Sequence, residues 1–146
     1  MSKIVNITAR EILDSRGNPT VEADVITTKA CATASVLSGA STGSHEAYEL
    51  RDNDPKRFFG KGVHRAIVNI NTKIFRTLKG TDVLHQEVVD KKLIETDGTR
   101  QKMHLGANAL LAVSMACCRA AALEQNIPRA QHVANISGTK KMRMPI

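Results

Sequence analysis

Six consecutive residues, Ser38-Gly-Ala-Ser-Thr-Gly43, have the composition of a loop that meets an oxyanion. All are small, two are glycine and none is charged. With so little Cβ bulk, backbone N–H groups and hydroxyls can approach a ligand closely. The stretch is expected to be a flexible lid over a phosphate or a metal-bound oxyanion, with an ordinary Ser/Gly linker as the alternative. It contains no acid, no base and no lysine, so it assists a reaction that other groups must carry.

Other residues capable of chemistry are scattered. The three cysteines are Cys31, Cys117 and Cys118. Two are adjacent in a predicted helix, where they point to different faces and cannot form an ordinary bridge. Small buried thiols in a reducing compartment are the expectation. Zinc needs a second Cys/His pair at close spacing. The histidines, at 45, 64, 85, 104 and 132, do not supply one.

The net charge of +7 is uneven: residues 1–60 sum to −1 and residues 61–146 to +8. The cations are spread over predicted helix surfaces, and aromatics make up only 3% of the chain. A solvated basic face is therefore expected, not a nucleic-acid partner. The longest nearly uncharged stretch, 105–118, falls short of the ~20 residues that span a bilayer, so no membrane insertion is expected. The N-terminus has no apolar signal region, which predicts a cytoplasmic location.

Elements must hold the lid in place, and the periodicity names them. Residues 3–13 alternate as a half-buried strand, with Val5, Ile7 and Ala9 inward. Asp14-Ser-Arg-Gly-Asn-Pro19 is dense in turn formers. Residues 20–28 alternate with Val21, Ala23 and Val25 inward, and 31–37 with Ala32, Ala34 and Val36. A tight hairpin near Thr28-Lys29 is implied, without the Gly or Asn that such turns prefer.

From Val63 the period becomes helical: Val63, Ala66, Ile67, Ile70, Ile74 and Leu78 share one face, and Gly80 ends the helix. Thr81 or Asp82 is expected to cap a helix over about 84–95, which stops near Asp97-Gly98. Residues 106–125 should form the most buried helix, apolar on nearly every side. Asn126 suits a left-handed stop and Pro128 forbids continuation, before a last helix over about 129–136. Three strands in an antiparallel meander followed by about four helices make an α+β fold with no barrel. Its core must be built from Ala, Val, Ile and Leu.

Asp14-Ser-Arg-Gly-Asn-Pro-Thr-Val-Glu22 is a rare string. In order after it come the Ser38–Gly43 lid, Glu49-Leu-Arg-Asp52, Gly60-Lys-Gly-Val63, Asp97-Gly-Thr99 and Gly106-Ala-Asn-Ala109. Together these motifs closely resemble the N-terminal domain of enolase, over residues 3–145. The resemblance implies a domain at 1–138 and, at 139–146, the start of a linker toward a barrel domain. Enolases (phosphopyruvate hydratases) reversibly dehydrate 2-phosphoglycerate to phosphoenolpyruvate in glycolysis. They use a Lys base, a Glu acid and two Mg2+ ions.

By that resemblance Ser41 offers its hydroxyl and carbonyl to the second Mg2+, whose preference is for hard oxygen donors. Ser38, Gly39, Ala40 and Thr42 belong to the substrate lid, and Gly39 and Gly43 are its hinges. Arg10 and Glu22 match positions that pair with the barrel of a second subunit in a homodimer. Their alternative is a pair of exposed strand charges. Asp14 is expected to hold the first turn and not to be catalytic.

No catalytic residue is expected in this chain. The resemblance places the Lys base, the Glu acid, the first Mg2+ site and a phosphate-binding Arg in the barrel. At most a partial second Mg2+ site is present here, and the 146 residues alone should be inactive. The expected partner is the chain's own barrel or a full-length enolase subunit, with 2-phosphoglycerate or phosphoenolpyruvate bound only in the complete enzyme. The alternative is a stand-alone enolase-like interaction module that docks on a partner protein. A third reading, a nucleic-acid-binding use of the fold, would show itself in salt-dependent binding.

The chain departs from the family's pattern at Leu37 (usually Pro), Leu105 (usually Phe) and Arg129 (usually a buried Leu). The hairpin near Lys29-Ala30 is a residue short.

Overall fold

The computed structural model describes residues 2–37 and 43–139. Strands β1 (Ile4–Leu13), β2 (Pro19–Thr27) and β3 (Cys31–Ser35) form an antiparallel sheet in the order β1-β2-β3. Five helical segments follow: α1 (His64–Asn69), α2 (Phe75–Leu78), α3 (Gln86–Asp97), α4 (Ala107–Glu124) and α5 (Arg129–Ile136). A π turn, Ile70–Ile74, joins α1 to α2, so these run as one rod and four helical rods result. The expected α+β meander-then-helices architecture is what forms.

The sheet buries one face. Val21, Ala23, Val25 and Ala34 are fully buried and Ala32 nearly so, beneath α4. β1 departs from simple alternation. Its pairing with β2 shifts between Ile4 and Asn6, so Ile4 and Ile7 both point inward. Val5, expected inside, is 49% exposed. A bulge adds one residue to one strand, which reverses the faces before and after it.

The turns are closed by side chains. Asp14 accepts the N–H groups of Arg16 (2.9 Å) and Asn18 (2.8 Å), while Gly17 takes φ +76°. Asp14 is thus a turn-maker, as expected. In the β2–β3 turn the Thr27 hydroxyl accepts the N–H of Ala30 at 2.9 Å, and the Thr27 N–H bonds the Ala30 carbonyl at 2.8 Å. A hydroxyl therefore does what glycine-based hairpin geometry usually does.

β1's outer edge is covered. Asn71 in the π turn accepts the Ala9 N–H at 2.7 Å and donates to the Ala9 carbonyl at 3.3 Å. Further along, Ile4 exchanges backbone bonds with Gly80 and Thr81. These close an edge that would otherwise invite pairing with another chain.

The helical rod buries Val63, Ala66, Ile67, Ile70, Ile74 and Leu78, the face read from the sequence. Asp82 does not cap α3 itself. Its carboxylate accepts the Leu84 N–H at 3.1 Å in the turn before it, and His85 stands at the N-cap. Gly98 ends α3 at φ +71° and Asn126 follows α4 at φ +52°.

Helix α4 packs on β2 and β3 through small residues: Ala109, Ala112, Ala116 and Ala120 are wholly buried. Alanine lets a helix approach a sheet closely, which suits a core poor in aromatics. The helix is not enclosed on every side, as its composition suggested: Leu111 is 49% and Leu123 58% exposed. At 18 residues it is long and apolar enough to cross a membrane by composition alone, but 56% of it is buried in this core.

Candidate functional site

The residues that flank the expected lid, Ser38–Gly43, are firmly tied. Upstream, the chain continues past β3 to Val36, whose N–H bonds the Val21 carbonyl at 3.0 Å. The Val36 carbonyl accepts the Thr20 hydroxyl. Leu37, in the place of a stiffening proline, is exposed. Ser38, Gly39, Ala40, Ser41 and Thr42 lie outside the described residues. Gly43 is exposed and its backbone is not in the left-handed region, so its φ does not require glycine.

Downstream, a clasp holds residues 48–50 to the start of α4. Tyr48 donates its N–H to the Gln101 carbonyl (2.7 Å) and accepts the Ala107 N–H (2.8 Å). The buried Asn108 amide accepts the Leu50 N–H and donates to the Leu50 carbonyl, each at 3.1 Å. Gly106, at φ +94°, makes room for this approach. A Cβ there would lie 2.5 Å from both the Leu50 Cβ and the Asn108 Oδ1. Glycine is the residue that tolerates both the conformation and the contact.

The loop from Asp97 to Leu105 is built around one buried carboxylate. Asp97 accepts the N–H groups of Leu105 (2.7 Å) and Thr99 (3.0 Å) and the Thr99 hydroxyl, while its carbonyl meets His104 Nδ1 at 2.8 Å. Burial pushes its pKa up, but these hydrogen bonds outweigh it and hold the carboxyl below its ordinary value. Between this loop and residues 44–47 is an open hollow of about 620 Å³. Ser44, His45 and Glu46 line one side, and Thr99, Arg100 and Met103 the other.

A second constellation organises the motifs Glu49–Asp52 and Gly60–Val63. The first N–H groups of a helix have no partners within it, and Val63 at the N-cap of α1 supplies none. Two distant carboxylates do. Glu11 accepts the Val63 N–H (3.0 Å), and Asp52 accepts those of His64 and Arg65 (2.9 Å each). Arg57 grips Glu11 with both guanidinium nitrogens and lies 3.7 Å from Asp52. Gly62 leaves the room this needs, since a Cβ would sit 2.5 Å from Asp52 Oδ2. Arg51 bonds the carbonyls of Pro19 and Lys61 at 2.6 Å and Glu49 at 2.7 Å. These charged motif residues are committed to the fold.

Arg10 and Glu22 are cross-strand partners and pair with each other at 2.5 Å. Arg10 also meets Asp24 at 2.5 Å, and Thr33 and Ser35 extend this network on the polar face of the sheet. The Arg10 side chain remains half exposed. Among the described residues there is no group of three or more His, Cys, Asp or Glu placed to hold a metal ion. All three cysteines are free, and burial pushes the Cys117 thiol up to about 12.

The geometry defines a class: an α+β domain that fixes both flanks of a small-residue loop and spends the charges of its motifs on its own turns and caps. The family profile for the N-terminal domain of enolase matches residues 4–133. The chain belongs to the enolase N-terminal domain family. It is 52% identical over 143 residues to Enolase B of Dictyostelium discoideum, covering 98% of this chain and 32% of that protein. Against Enolase 1 of Entamoeba histolytica it is also 52% identical over 143 residues, covering 98% and 33%. The chain thus spans about a third of the length of these curated relatives.

Sequence reasoning did not find the Asn108 clasp or the Glu11–Arg57–Asp52 cap. Gly106-Ala-Asn108 was visible as a motif, but its partner Leu50 is 58 residues away.

Proposed function

We propose that this chain is the lid-bearing domain of an enolase reaction, the reversible dehydration of 2-phosphoglycerate to phosphoenolpyruvate. The supporting observation is the 52% identity to two enolases across 98% of the chain. In this reading Ser38, Gly39, Ala40, Thr42 and Gly43 close over the substrate, between the anchors at Val36 and Tyr48. Ser41 would offer hydroxyl and carbonyl oxygens to a Mg2+ whose main ligands would come from a barrel domain. Such a cation would supply positive charge against the negative charge that develops on the substrate. The 146 residues alone do not turn over substrate, and the partner is a barrel domain or a full-length subunit. Arg10 and Glu22 meet the barrel of a second subunit, using the half-exposed guanidinium. A cytoplasmic site of action belongs to the same reading.

The test mixes the purified chain with a separately produced enolase barrel and follows phosphoenolpyruvate absorbance. The chain alone should give no turnover and the mixture should. Ser41→Ala in the mixture should lower kcat on the order of 10–100-fold, the scale of a weakened metal environment. Turnover by the chain alone, free of host enolase, would overturn the inactivity; an unchanged rate in Ser41→Ala would overturn the lid ligand.

A further inference from the structure

A groove of about 400 Å³ lies between β3 and the corner where α4 turns into α5. Arg119 and Arg129 line it, with Ala122, Leu123 and Ile127 as apolar wall and Cys31 at the strand side. Neither arginine has a carboxylate partner among the described residues. Arg119 uses one donor on the Thr33 carbonyl, which orients the guanidinium and leaves its other donors free. Arg129 is exposed, at the first position of α5. That helix has no acidic residue in its first turn and no side-chain cap, so its positive end is also uncompensated. Elsewhere in the molecule, Arg10, Arg51 and Arg57 are all matched to carboxylates. Arg65, Arg76 and Arg100 also have no carboxylate partner among the described residues; what marks this groove is that it brings two such arginines to one hollow beside apolar side chains.

We propose that the groove is an anion site. It takes the carboxylate or phosphate end of a small organic anion between Arg119 and Arg129, and lays the anion's apolar body on Ala122, Leu123 and Ile127. Guanidinium groups suit such planar or tetrahedral oxyanions because several N–H donors point at them at once. The proposal is independent of the enolase reading, because it uses none of the lid residues.

Cys31 on the groove wall is a built-in reporter. A bis-nitrobenzoate disulfide is dianionic with an aromatic body, so it has the chemistry the groove should take. The Cys31 thiolate attacks one sulfur, a mixed disulfide forms and chromogenic thionitrobenzoate leaves. Peptide mapping assigns the labelled residue in the 146-residue chain. The expected result is a rate about 3–10-fold higher than in Arg129→Ala, from local attraction of the anion. Dicationic cystamine should show no such loss in the variant. Inorganic phosphate should slow the labelling along a saturating curve that sodium chloride of equal ionic strength does not reproduce. The Arg129 side chain makes no hydrogen bond among the described residues, so Arg129→Ala should keep the fold. Arg119→Lys, which keeps the charge but not the fork, should weaken phosphate protection without abolishing it. Equal effects of phosphate and chloride would overturn the proposal. So would saturable protection that survives intact in Arg129→Ala.

Discussion

Asn108 does with its side chain what a neighbouring strand does with its backbone: it satisfies both the N–H and the carbonyl of Leu50. Removing it leaves two buried polar groups without partners. Asn108→Ala is therefore expected to cost about 2–4 kcal/mol in urea unfolding. The same change should raise hydrogen-exchange rates at Tyr48 and Leu50, because the segment after Gly43 loses its tie to α4. Gly106→Ala should destabilise by at least about 2 kcal/mol, since φ +94° and a 2.5 Å contact are both forced on the new Cβ. The departures from family pattern also resolve at this scale. Leu105 is 1% exposed and serves as core despite its smaller size. Arg129 is exposed, so no buried unpaired charge arises there. Leu37 is exposed, and nothing in the described structure explains that substitution.

At the scale of elements, the N-terminus of α1 is capped from two other parts of the chain. Asp52→Ala removes the acceptor for two helix N–H groups and a negative charge near the helix's positive end. Thermal unfolding should report a loss of about 1–2 kcal/mol. Asp52→Asn should lose less, because an amide oxygen still accepts. Unchanged stability in the alanine variant would mean that water replaces the carboxylate there. The strand and helix periods made β2, β3 and the helical rod legible from sequence, because each buried face repeats within its own element. The β1 bulge was not legible: Val5 is as apolar as Ile4, and only the pairing with β2 decides which of them faces the core. The exposure of Leu111 and Leu123 was hidden for a similar reason. An Ala-rich helix looks apolar all round until the number of layers packed on it is known.

At the scale of the whole molecule, stability should depend on pH in two windows. Glu11, Asp14, Asp24, Asp97 and Glu124 all titrate below their ordinary values of 3.8–4.5. For Asp14, Asp24 and Glu124 the leading cause is a hydrogen bond to the carboxylate, from Asn18, Arg10 and Thr27 respectively. For Glu11 and Asp97, burial opposes the shift and is outweighed. A lowered folded-state pKa means that the unfolded chain takes up protons first. The stabilisation is complete above about pH 4.5 and is lost as pH falls through the folded values.

His132 adds an earlier step. Its ring is buried, with Nδ1 2.9 Å from Gln125 and Nε2 without a partner, and burial lowers its pKa from 6.5. The unfolded chain therefore gains a proton below about pH 6.5 that the folded chain resists, and stability begins to fall there. Urea midpoints from pH 8 to pH 3 should show this shoulder, and His132→Gln should remove it while leaving the acid limb. A flat profile between pH 7 and pH 5 in the parent chain would contradict the assignment.

What the sequence by itself determined is local: the faces of β2, β3 and the helical rod, the turn at Asp14–Asn18, the stops at Gly98 and Asn126, and the motifs that place the chain in its family. The elements and turns depend on residues within a turn or two of one another, and the family motifs on short strings read in order along the chain. The tertiary structure alone decided which distant groups meet: Glu11 with Val63, Asn108 with Leu50, and Arg119 with Thr33. Hydrogen bonds and charges act over a few ångströms. Their partners are therefore set by how the layers pack, and no local pattern records that.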